Sequence, residues 1–151
     1  MAEVIQLKNP RALLAPEVEK ILRAATASDA FVAPVGFDSV AGDLFEMVTN
    51  ENSFILIGFE AGEAKAVTWG FFPGSRMFPF PTITMFYSIG SKTLLGAMRE
   101  KLLDVLLERG YTKAWAVNIT GKSNAAWQKV FTVPGKTKIE VLGSVMQLSL
   151  I

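Results

Sequence analysis

The sequence predicts an α+β fold, a mixed and largely antiparallel sheet flanked by helices, and three observations predict it. Residues 53–60 and 64–72, SFILIGFE and AKAVTWGFF, are apolar runs of strand length on either side of the turn Ala61-Gly62-Glu63, the pattern of a β-hairpin. Residues 92–109 place Leu94, Leu95, Met98, Leu102, Val105 and Leu106 on one side at helical spacing, which is an amphipathic helix. Residues 113–119, KAWAVNI, then alternate strictly, with Lys113, Trp115, Val117 and Ile119 on one face and Ala114, Ala116 and Asn118 on the other, which is a strand.

The remaining elements follow in chain order. Residues 3–7 alternate and predict a short first strand, broken by Asn9-Pro10. Pro16 sits where a first-turn proline is tolerated, and Glu17 and Glu19 suit a helix N-terminus. Val18, Ile21, Leu22 and Ala25 give that helix its apolar stripe. Residues 28–36 read as a connection. A second helix is predicted over 39–49, with Val40, Leu44, Met47 and Val48 on one face. After the hairpin, Pro73-Gly74 opens a loop, and residues 82–89, TITMFYSI, form the next strand, stopped by Gly90. Gly110 is placed to close the long helix. A short helix over 123–131 and a closing hairpin, 138–141 with 145–150 around Leu142-Gly143-Ser144, complete the chain. No repeat or linker interrupts it, so the expectation is one domain over residues 1–151.

Composition narrows the chemistry. The 151 residues contain no cysteine and no histidine, which removes disulfides, thiolate metal sites, thiol nucleophiles and every Ser-His or Cys-His arrangement. No carboxylate cluster supports a metal site, so none is expected. The net charge of +1 is spread without a basic stripe, which predicts neither nucleic acid nor an anionic membrane as partner. No apolar run reaches the roughly 20 residues of a membrane span, and a soluble, cytoplasmic protein is expected. Charged residues make up only 19% of the chain, below the roughly 25% of ordinary domains. That shortfall predicts a leftover apolar surface and hence a homo-oligomer or a lasting protein partner.

The stretch LLERGYTKAWAVNITGKSNAAWQKVF, from Leu106 to Phe131, and the ending GSVMQLSL carry a resemblance. With the element order, they resemble the GNAT superfamily of acyl-CoA-dependent N-acyltransferases along nearly the whole chain. The resemblance implies a GNAT-like fold in which a gap between the strands matching 82–89 and 113–119 admits the pantetheine arm of acetyl-CoA. The pyrophosphate would then rest on N–H groups at the start of the long helix. The chain is also similar to small GNAT-like internal virion proteins of T7-like phages, which share a Ser/Gly/Lys helix start followed by a Trp-containing strand with an Asn. That second likeness implies a virion, or the host cytoplasm, as location.

Carried over residue by residue, the resemblance implies Ile89, Gly90, Ser91, Lys92 and Thr93 as the phosphate turn, with Asn118 and Asn124 beside the pantetheine. The family loop Arg/Gln-x-x-Gly-x-Gly/Ala is replaced here by Gly90-Ser91-Lys92-Thr93-Leu94-Leu95-Gly96, and Trp127 stands where the family often has a tyrosine acid. Tyr87 is left as the candidate catalytic group; a phenol ionises near pH ~10 and is a poor base. Each residue also has a structural alternative. Ser91 also reads as a helix cap, Asn118 and Asn124 as a turn and a cap, and Tyr87 and the three tryptophans as core. Met77, Phe78 and Phe80 read as a docking loop or a folded-back one. Leu103 and Leu107, outside the main stripe beside Gly96, read as an exposed pair for another surface. Three functions remain open: an N-acetyltransferase acting on an unknown amine, a catalytically inactive structural or assembly protein of the same fold, and a non-catalytic acyl-CoA-binding module.

Overall fold

The structure is a computed structural model, described here over residues 2–28, 37–73, 80–117, 124–142 and 145–151. Seven strands form one sheet in the order β1-β2-β3-β4-β5-β7-β6: β1 (Ala2–Gln6), β2 (Ser53–Glu60), β3 (Glu63–Phe71), β4 (Thr82–Ser88), β5 (Lys113–Val117), β6 (Thr137–Leu142) and β7 (Val145–Leu150). Every neighbouring pair is antiparallel except β4 with β5, which run parallel. The helices are α1 (Pro16–Thr26), α2 (Phe37–Thr49), α3 (Lys92–Glu108) and α4 (Asn124–Phe131), with a 3-10 turn over Pro10–Leu14.

The near-continuous apolar run of β2 has a simple cause. Phe54 and Leu56 pack with α3 on one face of the sheet, and Ile55 and Ile57 pack with α1 and α2 on the other. A strand covered on both faces does not alternate in polarity. The two helical layers therefore cover the β2–β3–β4 region from opposite sides, and Arg23 ties α1 to α2. Its guanidinium holds Glu19 at 2.7 Å and Asp38 at 3.1 Å and lies 4.8 Å over the Phe37 ring.

The long helix ends as its sequence predicts. Gly110 takes φ +82°, its N–H donates to the Leu107 carbonyl at 2.8 Å, and the Tyr111 N–H donates to the Leu106 carbonyl at 3.0 Å. That pair of bonds is a Schellman closure, which favours glycine at the left-handed position. Arg99 fastens α4 against α3 by donating to the Lys129 and Thr132 carbonyls at 3.2 and 3.1 Å.

The first strand ends before Asn9-Pro10 as expected, and that pair opens a 3-10 turn, the Asn9 side chain accepting from the Arg11 N–H at 3.0 Å and proline suiting the first helical position. One expectation needs correction. Leu103 is not exposed: it is 8% accessible and belongs to the α3-side core, while Leu107 is 50% accessible. The buried arc of α3 is wider than its main stripe. Leu103 and Leu107 therefore do not form an exposed pair. Of the predicted docking loop, Met77 and Phe78 lie outside the described residues. Phe80 turns inward, edge-on to Trp115 with ring centroids 5.8 Å apart.

Candidate functional site: a parted strand pair and the start of the long helix

β4 and β5 pair at two positions only, Thr82 with Trp115 and Ile83 with Ala116. Among the described residues the two strands share no ladder beyond Ile83; described β5 ends at Val117, whereas β4 continues to Ser88. On its other edge β4 stays paired to β3 as far as Ser88 opposite Ala66, and the Ile89 N–H extends the contact by donating to the Lys65 carbonyl at 2.8 Å. Antiparallel backbone groups alternate in direction. With Ile89 bonded toward β3, Phe86 and Ser88 turn their N–H and C=O groups toward the β5 side, where they have no backbone partner among the described residues.

The parting begins at a bulge. Trp69 faces Met85 and Gly70 faces Ile83, so Thr84 is an extra residue with no partner on β3. Its effect on the side chains is direct. Ile83 lies in the α3-side core, whereas Met85, two residues on, lies in the α1/α2-side core. A regular strand would put both on one face. The Thr68 hydroxyl fixes the arrangement by donating to the Met85 carbonyl at 2.6 Å, and Gly70 lets the β4 backbone come close to β3 there. Bulges of this kind re-aim side chains and end pairing beside active sites.

The aromatic floor of the gap is Phe86, edge-on to Phe131 of α4 at 5.8 Å. On the opposite face of the sheet from Ala114 and Ala116 stands Trp115, whose buried indole nitrogen has no hydrogen-bond partner among the described residues. An orphaned buried donor beside the last paired positions of the two strands is a group that a ligand could satisfy. Tyr87 sits on the same β4 segment, half-buried against the α1/α2-side core.

At the end of β4 the chain turns through Ile89, Gly90 and Ser91 into α3. Ser91 is the N-cap of α3, its hydroxyl accepting from the Leu94 N–H at 3.2 Å. The capping reading is thus realised. Lys92 and Thr93 form the exposed first turn, and the Leu94 side chain fills the space that a Cβ at Gly90 would need. Asn118 lies outside the described residues, and Asn124 opens α4.

Glu60, the last residue of β2, carries a carboxylate that reaches this turn and that sequence reasoning missed. It accepts from the Ser91 hydroxyl and, at 3.2 Å, from the Ser91 backbone N–H. Those bonds, the hydroxyl's first, hold the Glu60 carboxyl below the usual glutamate range. A thioester arm fits the β4 edge, whose Phe86 and Ser88 backbone groups have no partner among the described residues. A pyrophosphate does not fit the helix start as it stands, because a carboxylate already occupies an N–H there.

Two clefts lie away from the gap. One, of about 270 Å³, is lined by Glu17, Lys20, Ile21, Glu63, Lys65 and Ile89 and opens on the α1 side beside the end of β4. The other, of about 380 Å³, lies along α3 and holds Leu103, Leu107 and Leu150 with Glu100 and Asp104. It contains no residue of the strand gap.

No protein-family model matches the chain, and no curated protein does. Solved structures do. The chain is similar to an aminoglycoside acetyltransferase from an uncultured soil metagenomic sample (TM-score 0.64, 16% identity, covering 95% of both chains). It is also similar to the PaiA N-acetyltransferase of Thermoplasma acidophilum, solved in complex with coenzyme A (TM-score 0.62, 10% identity, covering 100% of this chain and 99% of that one). The GNAT domain of S. lividans PAT matches at TM-score 0.63 and 18% identity, over 97% of this chain and 88% of that one.

Proposed function

The chain has the fold of the GNAT acetyltransferases, and we propose that it is an N-acyltransferase that moves an acetyl group from a pantetheine-type thioester to an amine, acetyl-CoA being a donor only where its pyrophosphate displaces Glu60 from the helix start. The observation that carries this reading is the β4–β5 edge: a ladder that, among the described residues, ends at Ile83 and Ala116, directly before the Thr84 bulge. The donor, when bound, supplies an acyl group activated as a thioester.

The chain's own part is mostly positioning, which is enough to account for large rate enhancements. The Phe86 and Ser88 backbone groups align an extended, amide-bearing arm as a strand edge aligns a peptide. Phe86 and Phe131 keep water from one side of it. The unpaired Thr84 directs main-chain groups into the same space, where an N–H would stabilise negative charge growing on a carbonyl oxygen. Lys92 and the N–H of Thr93 give the helix start its positive end. Tyr87 brings a hydroxyl to the α1 side of β4 as the proton-carrying group, and a pantetheine role for Asn118 and Asn124 rests on the sequence resemblance alone. The acceptor amine approaches from the α1 side, where the 270 Å³ cleft opens beside the end of β4 with Glu17 and Lys20 and the Glu63–Lys65 pair in its wall.

The test is acetyl transfer to a panel of primary amines, read by release of free thiol. Turnover that falls at least tenfold in Tyr87→Phe supports the reading and the role of Tyr87. Turnover unchanged in Tyr87→Phe removes Tyr87 and leaves positioning alone. Binding of acetyl-CoA or acetyl-pantetheine with no turnover on any amine favours the non-catalytic binding module, and absence of binding of both favours the structural, virion-type protein.

A further inference from the structure

We propose that Glu60 is a specificity-determining residue for the acyl donor: its carboxylate, lodged against the first turn of α3, selects against donors that place phosphate there. The inference rests on the acyltransferase reading above, since it concerns the same site.

The argument is one of competition for a small number of donors. An α-helix offers its unpaired N–H groups within its first turn. In α3 the Leu94 N–H is spent on the Ser91 hydroxyl at 3.2 Å, and the Leu95 N–H is spent on the Ser91 carbonyl at 3.1 Å. The Ser91 N–H is spent on Glu60 at 3.2 Å. Only Lys92 and Thr93 keep N–H groups for an incoming anion. The Ser91 hydroxyl, which could otherwise donate to a phosphate oxygen, donates to the second oxygen of Glu60 instead. Glu60 therefore satisfies the turn as a phosphate would, with a charge of the same sign.

The carboxylate is held in place from its own side as well. Glu60 ends β2 paired with Ala2 on one side and Glu63 on the other, and the turn behind it uses positive φ at Ala61 and Gly62. A donor carrying a pyrophosphate must displace Glu60 or approach it closely. At about 5 Å in a surface environment, that repulsion corresponds to a loss of affinity of roughly tenfold to a hundredfold. An arm without phosphate meets no such charge and needs only the strand gap.

The experiment compares two probes, acetyl-CoA and acetyl-pantetheine, by isothermal titration calorimetry on the full chain and on Glu60→Gln. Glutamine keeps the shape and an oxygen that accepts from Ser91. The expected result is acetyl-CoA affinity at least tenfold higher in Glu60→Gln, with acetyl-pantetheine affinity unchanged. Glu60→Ala, which loses the side chain altogether, moves acetyl-CoA affinity in the same direction, and a melting curve confirms that each variant is folded. Equal acetyl-CoA affinity in the wild type and both variants overturns the role of Glu60 while leaving the donor reading intact. A parallel gain for acetyl-pantetheine also overturns it, because charge on phosphate would not be the cause. If no protein binds either probe, the donor reading fails and the Glu60 proposal fails with it.

Discussion

Replacing Gly70 by alanine tests the strand bulge on which the site depends. A Cβ at Gly70 would stand 2.9 Å from Phe54 Cζ and 3.1 Å from Ile83 Cα, and closer still to the Thr82 carbonyl oxygen. Two of those three neighbours are β4 backbone, which cannot rotate aside as a side chain can. Relief requires β4 to move off β3 at the point where the register steps from Trp69–Met85 to Gly70–Ile83. Overpacking of this kind costs about 3 kcal/mol. For a chain of 151 residues, that is a fall in melting temperature of about 6–12 °C. Gly96→Ala is the control: nothing lies within 4 Å of its added Cβ, and the residue is inside α3. There alanine gains about 1 kcal/mol of helix propensity and raises the melting temperature by about 2–4 °C. Differential scanning calorimetry on both variants decides the matter. A Gly70→Ala protein as stable as the wild type would refute the close approach, and with it the packing that sets the bulge.

Three further outcomes are expected. Leu103→Ala destabilises by about 2–4 kcal/mol as a buried core truncation, whereas Leu107→Ala, at a half-exposed site, changes stability by less than about 1 kcal/mol; urea denaturation separates them. The Glu60 carboxyl is held below the ordinary glutamate value of 4.5 by Ser91. Its contribution is therefore complete above that pH and lost as pH falls through the lowered value, so melting temperatures from pH 3 to 7 show a smaller acid-side decline in Glu60→Gln. Ser91→Ala removes the cap and costs about 1 kcal/mol, seen as a lower melting temperature at neutral pH.

The legible parts of the fold were those with local causes. The β2 run was readable because burial on two faces removes alternation over eight consecutive residues, and the Gly110 closure because one glycine follows the last turn. Ser91 was readable as a cap because the bond it makes, to Leu94, is three residues away. The Thr84 bulge was not readable, since TITMFYSI scans as one strand whether or not it skips a pair. Nor was Glu60, whose partner Ser91 is 31 residues distant and meets it only through the sheet. Leu103 was misjudged for a related reason: the sheet face that α3 covers sets the width of its buried arc, and that face is assembled from strands far apart in sequence. Trp115 read as core, and its packing against Phe80 agrees, but the orphaned indole nitrogen depends on tertiary packing that no spacing reveals.

The central claim is that the parted edge of β4 receives a thioester arm, and an amide-resolved NMR titration of the wild type with acetyl-pantetheine tests it most directly. The account predicts that the Phe86 and Ser88 amides and the Trp115 indole N–H shift first and saturate together. Shifts confined to the cleft along α3 near Leu107, or none at saturating ligand, would contradict it.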